Sequence, residues 1–84
     1  MLFILKSFVS YLQADHIAKV LKKSGLKVFA RIGNWRALAV PGMSKEDAEA
    51  LTRWERATID QIKPIEGSFD PEELGFADVD AVLV

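Results

Sequence analysis

Two rhythms of apolar residues divide the chain. Leu2 to Phe8 is a nearly unbroken apolar run, the pattern of a central strand. Beyond it, Ile17, Ala18, Val20 and Leu21 recur at helical spacing, with Lys19, Lys22 and Lys23 around the outer side. Ser10 predicts the N-cap of that helix, and Gln13, three residues on, completes a capping box. Gly25 followed by Leu26 predicts a Schellman ending that feeds the next strand.

Lys27 to Val40 predicts a hairpin, two strand-like runs around a Gly33-Asn34 loop. Glycine at the first loop position suits a type II′ turn, whose twist matches that of its flanking strands. Such a turn sets the register. Ile32 then faces Trp35, Ala30 faces Ala37 and Val28 faces Ala39 on one side of the ribbon. On the other side Arg31 faces Arg36, Phe29 faces Leu38 and Lys27 faces Val40. The first side leaves room for helices over its alanines, and the second is expected to be an open sheet face. Pro41-Gly42 ends the hairpin. Ser44 caps a second helix whose first turn carries Glu46 and Asp47 at the positive helix end. Ala48, Leu51, Trp54 or Glu55, Thr58 and Ile62 keep helical spacing. Glu49–Arg53 and Arg56–Asp60 supply i,i+4 pairs, and Pro64 stops the helix.

Pro64 to Gly75 reads as loop with one helical turn, Asp70 as its cap and Pro71 at its first position. Val79 to Val84 predicts a short last strand that pairs beside the first. The expected fold is α+β: a βαββα(β) ferredoxin-like split motif, one four-stranded antiparallel sheet with two helices on one face. Residues 1–63 form the βαββα core and residues 64–84 an acidic C-terminal segment.

With 84 residues, 50% of them hydrophobic and 27% charged, this is one globular domain rather than a disordered chain. It has no cysteine. Disulfides, thiolate metal sites and cysteine nucleophiles are therefore excluded together, which suits a reducing compartment. The apolar opening, Met1 to Lys6, is too short for a membrane span or a signal-peptide core. The expectation is a complete, cytoplasmic chain with no membrane contact. Charge is distributed unevenly. Residues 1–63 hold all 11 Lys and Arg against 6 acids, giving +5, while residues 64–84 hold 6 acids and no base, giving −6.

Phe3 to Phe8, Ala18 to Val28, Arg36-Ala-Leu-Ala-Val-Pro-Gly42 and Met43 to Leu51 together resemble the SPOR repeat. That repeat is a ferredoxin-like module of bacterial cell-wall and division proteins. The resemblance covers about two-thirds of the chain and rests on hydrophobic spacing with Gly25 and Ser44. It implies a glycan-binding or adaptor role through the open sheet face, with Phe29, Arg31, Arg36 and Leu38 as contacts. In character, a small cysteine-free chain with an acidic, partly apolar segment is also similar to phage-encoded inhibitors such as anti-CRISPR proteins. Many of those occupy a basic nucleic-acid groove on a large complex.

Candidate chemistry is sparse. His16 is the only histidine and reads as a solvated helix residue. The glycines at 25, 33, 42, 67 and 75 each belong to a cap or turn, so no phosphate-cradling loop is present. Glu72 and Glu73 are neighbours and diverge on a helical turn, unlike two carboxylates opposed in one cleft. No catalytic residue, metal or cofactor is expected. Arg31, Arg36 and Phe29 could stack and pair with single-stranded nucleic acid. Opposite charges of this size in one small chain attract each other, however, so pairing with the acidic tail is favoured and direct nucleic-acid binding is not expected. Phe29 and Leu38 could also form a homodimer contact. Trp35 and Trp54 are expected in the core or at its edge.

Three readings of the acidic tail stay open: a solvated terminus, an intramolecular clasp, or a mimic of nucleic-acid phosphate. The functional expectation is a small non-enzymatic binding protein that covers a surface of a protein or ribonucleoprotein complex. Its most concrete version is an inhibitor of phage or mobile-element origin. Asp70, Glu72, Glu73, Asp78 and Asp80 would supply the charge, with Phe69, Leu74 and Phe76 as anchors. The alternative is the glycan-binding or adaptor role.

Overall fold

The computed structural model describes residues 1–65 and 67–83. Glu66, where the expected acidic stretch begins, and Val84, where the expected last strand ends, lie outside the described residues. In chain order the elements are β1 (Leu2–Leu5), α1 (Tyr11–Lys23), β2 (Phe29–Arg31), β3 (Asn34–Ala39), α2 (Lys45–Trp54), β4 (Ile59–Lys63), β5 (Phe76–Asp78) and α3 (Val79–Leu83). The strands form one sheet in the order β4-β1-β3-β2-β5, with every ladder antiparallel. The fold is thus α+β. Among the described residues it has five strands and three helices, one strand and one helix more than expected.

Local chemistry explains where both long helices begin. At α1 the Gln13 N–H donates to Ser10 Oγ at 3.4 Å and the Ser10 N–H donates to Gln13 Oε1 at 2.9 Å, closing the capping box. The helix ends with Gly25 at φ 84°, its N–H on Lys22 O and the Leu26 N–H on Leu21 O, a Schellman arrangement. Ser44 caps α2 by accepting from the Asp47 N–H at 3.2 Å.

One face of the sheet carries the main core. Phe3, Leu5, Val28, Ala30, Leu38 and Val40 meet Ala14, Ile17, Ala18 and Leu21 of α1, Ala48 of α2, and Val79 and Leu83 of α3. Full burial of a side chain such as Phe3, Ile17 or Leu38 stabilises the fold by about 1.5–3 kcal/mol each. The opposite face holds a second, smaller core in which Leu2, Ile4, Phe29, Ala37, Ala39 and Phe76 lie under Ile65 and Phe69.

The second helix is shorter than its spacing predicts. It stops at Trp54, and Ile59 to Lys63 is a strand on the outer side of β1 rather than the helix's last turns. Arg56 and Asp60 consequently share no helix. A break in register explains the misleading pattern. Ile62 pairs with Phe3, Gln61 with Ile4, and then Ile59 with Leu5, leaving Asp60 as an extra residue between them. That bulge lets two isoleucines three apart both pack into the main core, which imitates helical spacing.

The hairpin forms one residue out of the expected register. Phe29 pairs with Ala39 and Ala30 with Leu38, and Arg31 pairs with Asn34 across a shift. Ile32 and Gly33 therefore make the turn, and Gly33 is its second residue, at φ 84°. A slip of one residue exchanges the faces of a strand. The observed register sends Leu38 and Val40 into the helix-covered core, whereas the expected one would leave both on the open side.

The C-terminal elements also differ. The strand here is Phe76–Asp78, on the outer edge beside β2, and the place beside β1 is taken by β4. Val79 to Leu83 is helical: the Asp80 N–H bonds to Asp78 Oδ1 at 2.9 Å, turning the chain, and Val79 and Leu83 are buried on one side.

Candidate functional site

The acidic segment is not a loose tail. From Pro64 it folds back across the sheet face that carries no helix, and Phe69 lies between Phe29 and Phe76 there. The ring centroids are 5.5 Å apart for Phe29–Phe69 and 5.7 Å for Phe69–Phe76, the latter edge-on. A tight turn follows, with the Leu74 N–H on Asp70 O at 3.2 Å and the Phe76 N–H on Pro71 O at 2.7 Å. Asp70, Glu72 and Glu73 project from it into solvent. Beside them Leu26, Phe29, Pro41, Phe69 and Pro71 line an apolar hollow of about 380 Å³.

Of the expected anchors, Phe69 and Phe76 serve the second core, whereas Leu74 stays half exposed. Asp78 and Asp80 act within the chain. Lys22 Nζ donates to Asp80 and lies 3.6 Å from Asp78 Oδ1, fastening α3 to the end of α1. The hydrogen bond with Asp80, with the charge of Asp78 beside it, raises the Lys22 ammonium above the ordinary lysine value. The expected acidic contact is thus split: three carboxylates in solvent, two in a clasp.

The four residues expected on an open sheet face do not share one surface. Leu38 is fully buried on the helix side, so it can join neither a glycan site nor a dimer contact. Phe29 is half buried beneath Phe69. Arg36 stacks on Trp35, its guanidinium carbon 4.2 Å from the ring centroid, and its Nε donates to Val9 O at 3.2 Å. Arg31 alone is exposed, at the β2 end. The arginines do not face each other, because the hairpin pairs Arg31 with Asn34.

Trp35 packs at the core edge as expected, but Trp54 is 86% exposed. It belongs to a set of uncovered apolar side chains, with Phe8, Leu12 and Ile32, that sequence reasoning overlooked. A signal was available for Leu12, which falls off the buried Ala14, Ile17, Ala18, Leu21 stripe of its helix. His16 is a surface residue, its Nε2 3.7 Å from Glu55 Oε1. Among the described residues no group of three or more His, Asp or Glu is placed to hold a metal, and no helix is long and apolar enough to cross a membrane.

No family model matches the chain, and no curated protein and no solved structure matches it either.

Proposed function

We propose that this is a non-enzymatic binding protein on a ferredoxin-like frame, acting by covering a surface of a macromolecular partner. The β4-β1-β3-β2 order, with α1 and α2 joining the strands over one face, supports that frame. On this reading β5 and α3 extend it along the β2 edge.

The observation that carries the functional reading is the mounting of the acidic turn. Asp70, Glu72 and Glu73 stand in solvent, while Phe69 and Phe76 on either side of them are held in the second core. A turn whose backbone is fixed in this way loses little main-chain freedom on binding and presents its negative charge from one place. That suits competition for a basic groove. The concrete version is an inhibitor of phage or mobile-element origin, similar in mode to anti-CRISPR proteins, directed at a cytoplasmic protein or ribonucleoprotein complex that handles nucleic acid. Half-exposed Leu74 supplies an apolar contact beside the acids.

The test uses wild-type protein and an Asp70→Lys, Glu72→Lys, Glu73→Lys variant as baits in native bacterial lysate, at low and high salt. A nucleic-acid-handling complex held by the wild type, and lost in the variant and in high salt, is the expected result. Retention by both baits alike overturns the reading.

A further inference from the structure

The sheet face that carries no helix is only partly covered. Ile65 and Phe69 lie over it, and a hollow of about 440 Å³ stays open at its end beside Ile4 and Ala37. These two residues pair across β1 and β3, and the small alanine side chain leaves the space. Strands β3 and β4 run antiparallel to β1, so their first residues stand beside its last. Three polar side chains therefore meet at the rim: Ser7 just after β1, Asn34 at the start of β3 and Asp60 near the start of β4. Asp60 is the extra residue of the bulge, a device that re-aims a side chain.

Arg36 is the fourth polar group in the hollow, and it is held in place before any ligand arrives. Its guanidinium stacks on Trp35 and its Nε donates to Val9 O, which leaves both terminal amino groups for a ligand. Among the described residues Arg36 and Asp60 are in no ion pair, with each other or with any other side chain. Nor do the Ser7 hydroxyl, the Asn34 amide or the Asp60 carboxylate make a hydrogen bond there. The hollow thus presents one cation, one anion and two neutral groups that both donate and accept. The flanking charges Lys6, Arg31 and Lys63 do not line it, and neither does any residue of the acidic turn.

We propose that this hollow binds a free α-amino acid with an aliphatic side chain. Its carboxylate would take the fork of Arg36 and its ammonium the carboxylate of Asp60, with its side chain against Ile4 and Ala37. Ser7 and Asn34 would bond to the remaining polar atoms. The pair of charges selects this class. An inorganic anion or a nucleic-acid phosphate on Arg36 would bring negative charge to Asp60. An amine or a basic peptide side chain on Asp60 would bring positive charge to Arg36. A neutral polyol would bond to these groups and compensate neither charge. A zwitterion meets both at once. The proposal is independent of the acidic turn and of its partner.

Titration of the full chain with L-valine and L-leucine tests it, followed through the side-chain N–H signals of Asn34 and Arg36 in heteronuclear NMR spectra. The expected result is saturable shifts of both signals with at least one of the two amino acids. The N-acetyl derivative lacks the ammonium and the amino acid amide lacks the carboxylate. Each should bind at least about tenfold more weakly, because one hydrogen bond to a charged group is lost. Asp60→Asn should weaken binding of the parent amino acid by a similar factor. Asp60 is exposed, and the backbone spectrum verifies that the variant stays folded. The capped derivatives probe the wild type itself, so the result does not hang on that variant. Exchanging Asp70, Glu72 and Glu73 for lysine should leave the affinity unchanged. Absence of saturable shifts with both amino acids overturns the proposal. So does equal binding of the capped derivatives, unchanged binding by Asp60→Asn, or tighter binding of inorganic phosphate or glucose.

Discussion

Phe69 rests against Phe29, ring centroid to ring centroid 5.5 Å, and this contact joins the acidic segment to the body of the protein. It also touches Phe76, so one half-buried ring ties the turn to both β2 and β5. Phe69→Ala should cost about 1–3 kcal/mol, below the range for a fully buried Phe because the ring is only partly covered. Urea unfolding reads the loss. Hydrogen exchange should accelerate at Leu74 and Phe76 before the rest of the sheet, and uniform acceleration would count against the segment being held by this contact.

Leu38 tests the hairpin register. In the observed pairing it is fully buried, and Leu38→Ala should cost about 2–5 kcal/mol. With the register shifted by one residue it would face outward, and the same change would cost less than about 0.5 kcal/mol. A denaturation curve separates these outcomes.

Gly33 adopts φ 84°, and nothing lies within 4 Å of the position a Cβ would take. Gly33→Ala should therefore cost about 1–2 kcal/mol from backbone conformation alone, with no clash to relieve. Thermal unfolding measures it, and a neutral result would mean that the turn is not built as described.

The clasp between Lys22 and Asp80 has a defined pH dependence. Folding raises the affinity of Lys22 for its proton, so its contribution is complete below the unfolded value of 10.5 and is lost as pH rises through the higher folded value. The wild type should lose more stability than Lys22→Met across that alkaline interval, and the two should run parallel near neutrality. Chemical denaturation at a series of pH values gives the difference. Curves that stay parallel throughout would mean that the clasp does not hold α3.

The features legible in the sequence were those settled within a few residues. The Ser10–Gln13 box, the Ser44 cap and the Gly25 ending need no distant partner, and all three formed where expected. Long-range competition decided the rest. Nothing local to Ile59 and Ile62 distinguishes a helix stripe from a bulged strand; the vacant edge of β1 makes that choice. Hairpin register followed from the need to bury Leu38 and Val40, which outweighed the turn preference of Gly33-Asn34. At the candidate site the exposed acids were legible as acids, but the destination of Phe69 depended on a sheet face whose composition the register itself determines. The exposure of Trp54 was hidden because α2 ends just there, before its next turn could cover the ring.

The bulge at Asp60 reaches beyond the helix it resembles. It sits on β4, at one border of the sheet, where an uninterrupted backbone ladder would invite pairing with a foreign strand. The irregular spacing there, with Pro64 directly after the strand, spoils that template. At the other border β5 is only three residues long and turns at once into α3. Both flanks of the sheet thereby disfavour strand addition and fibril-like stacking.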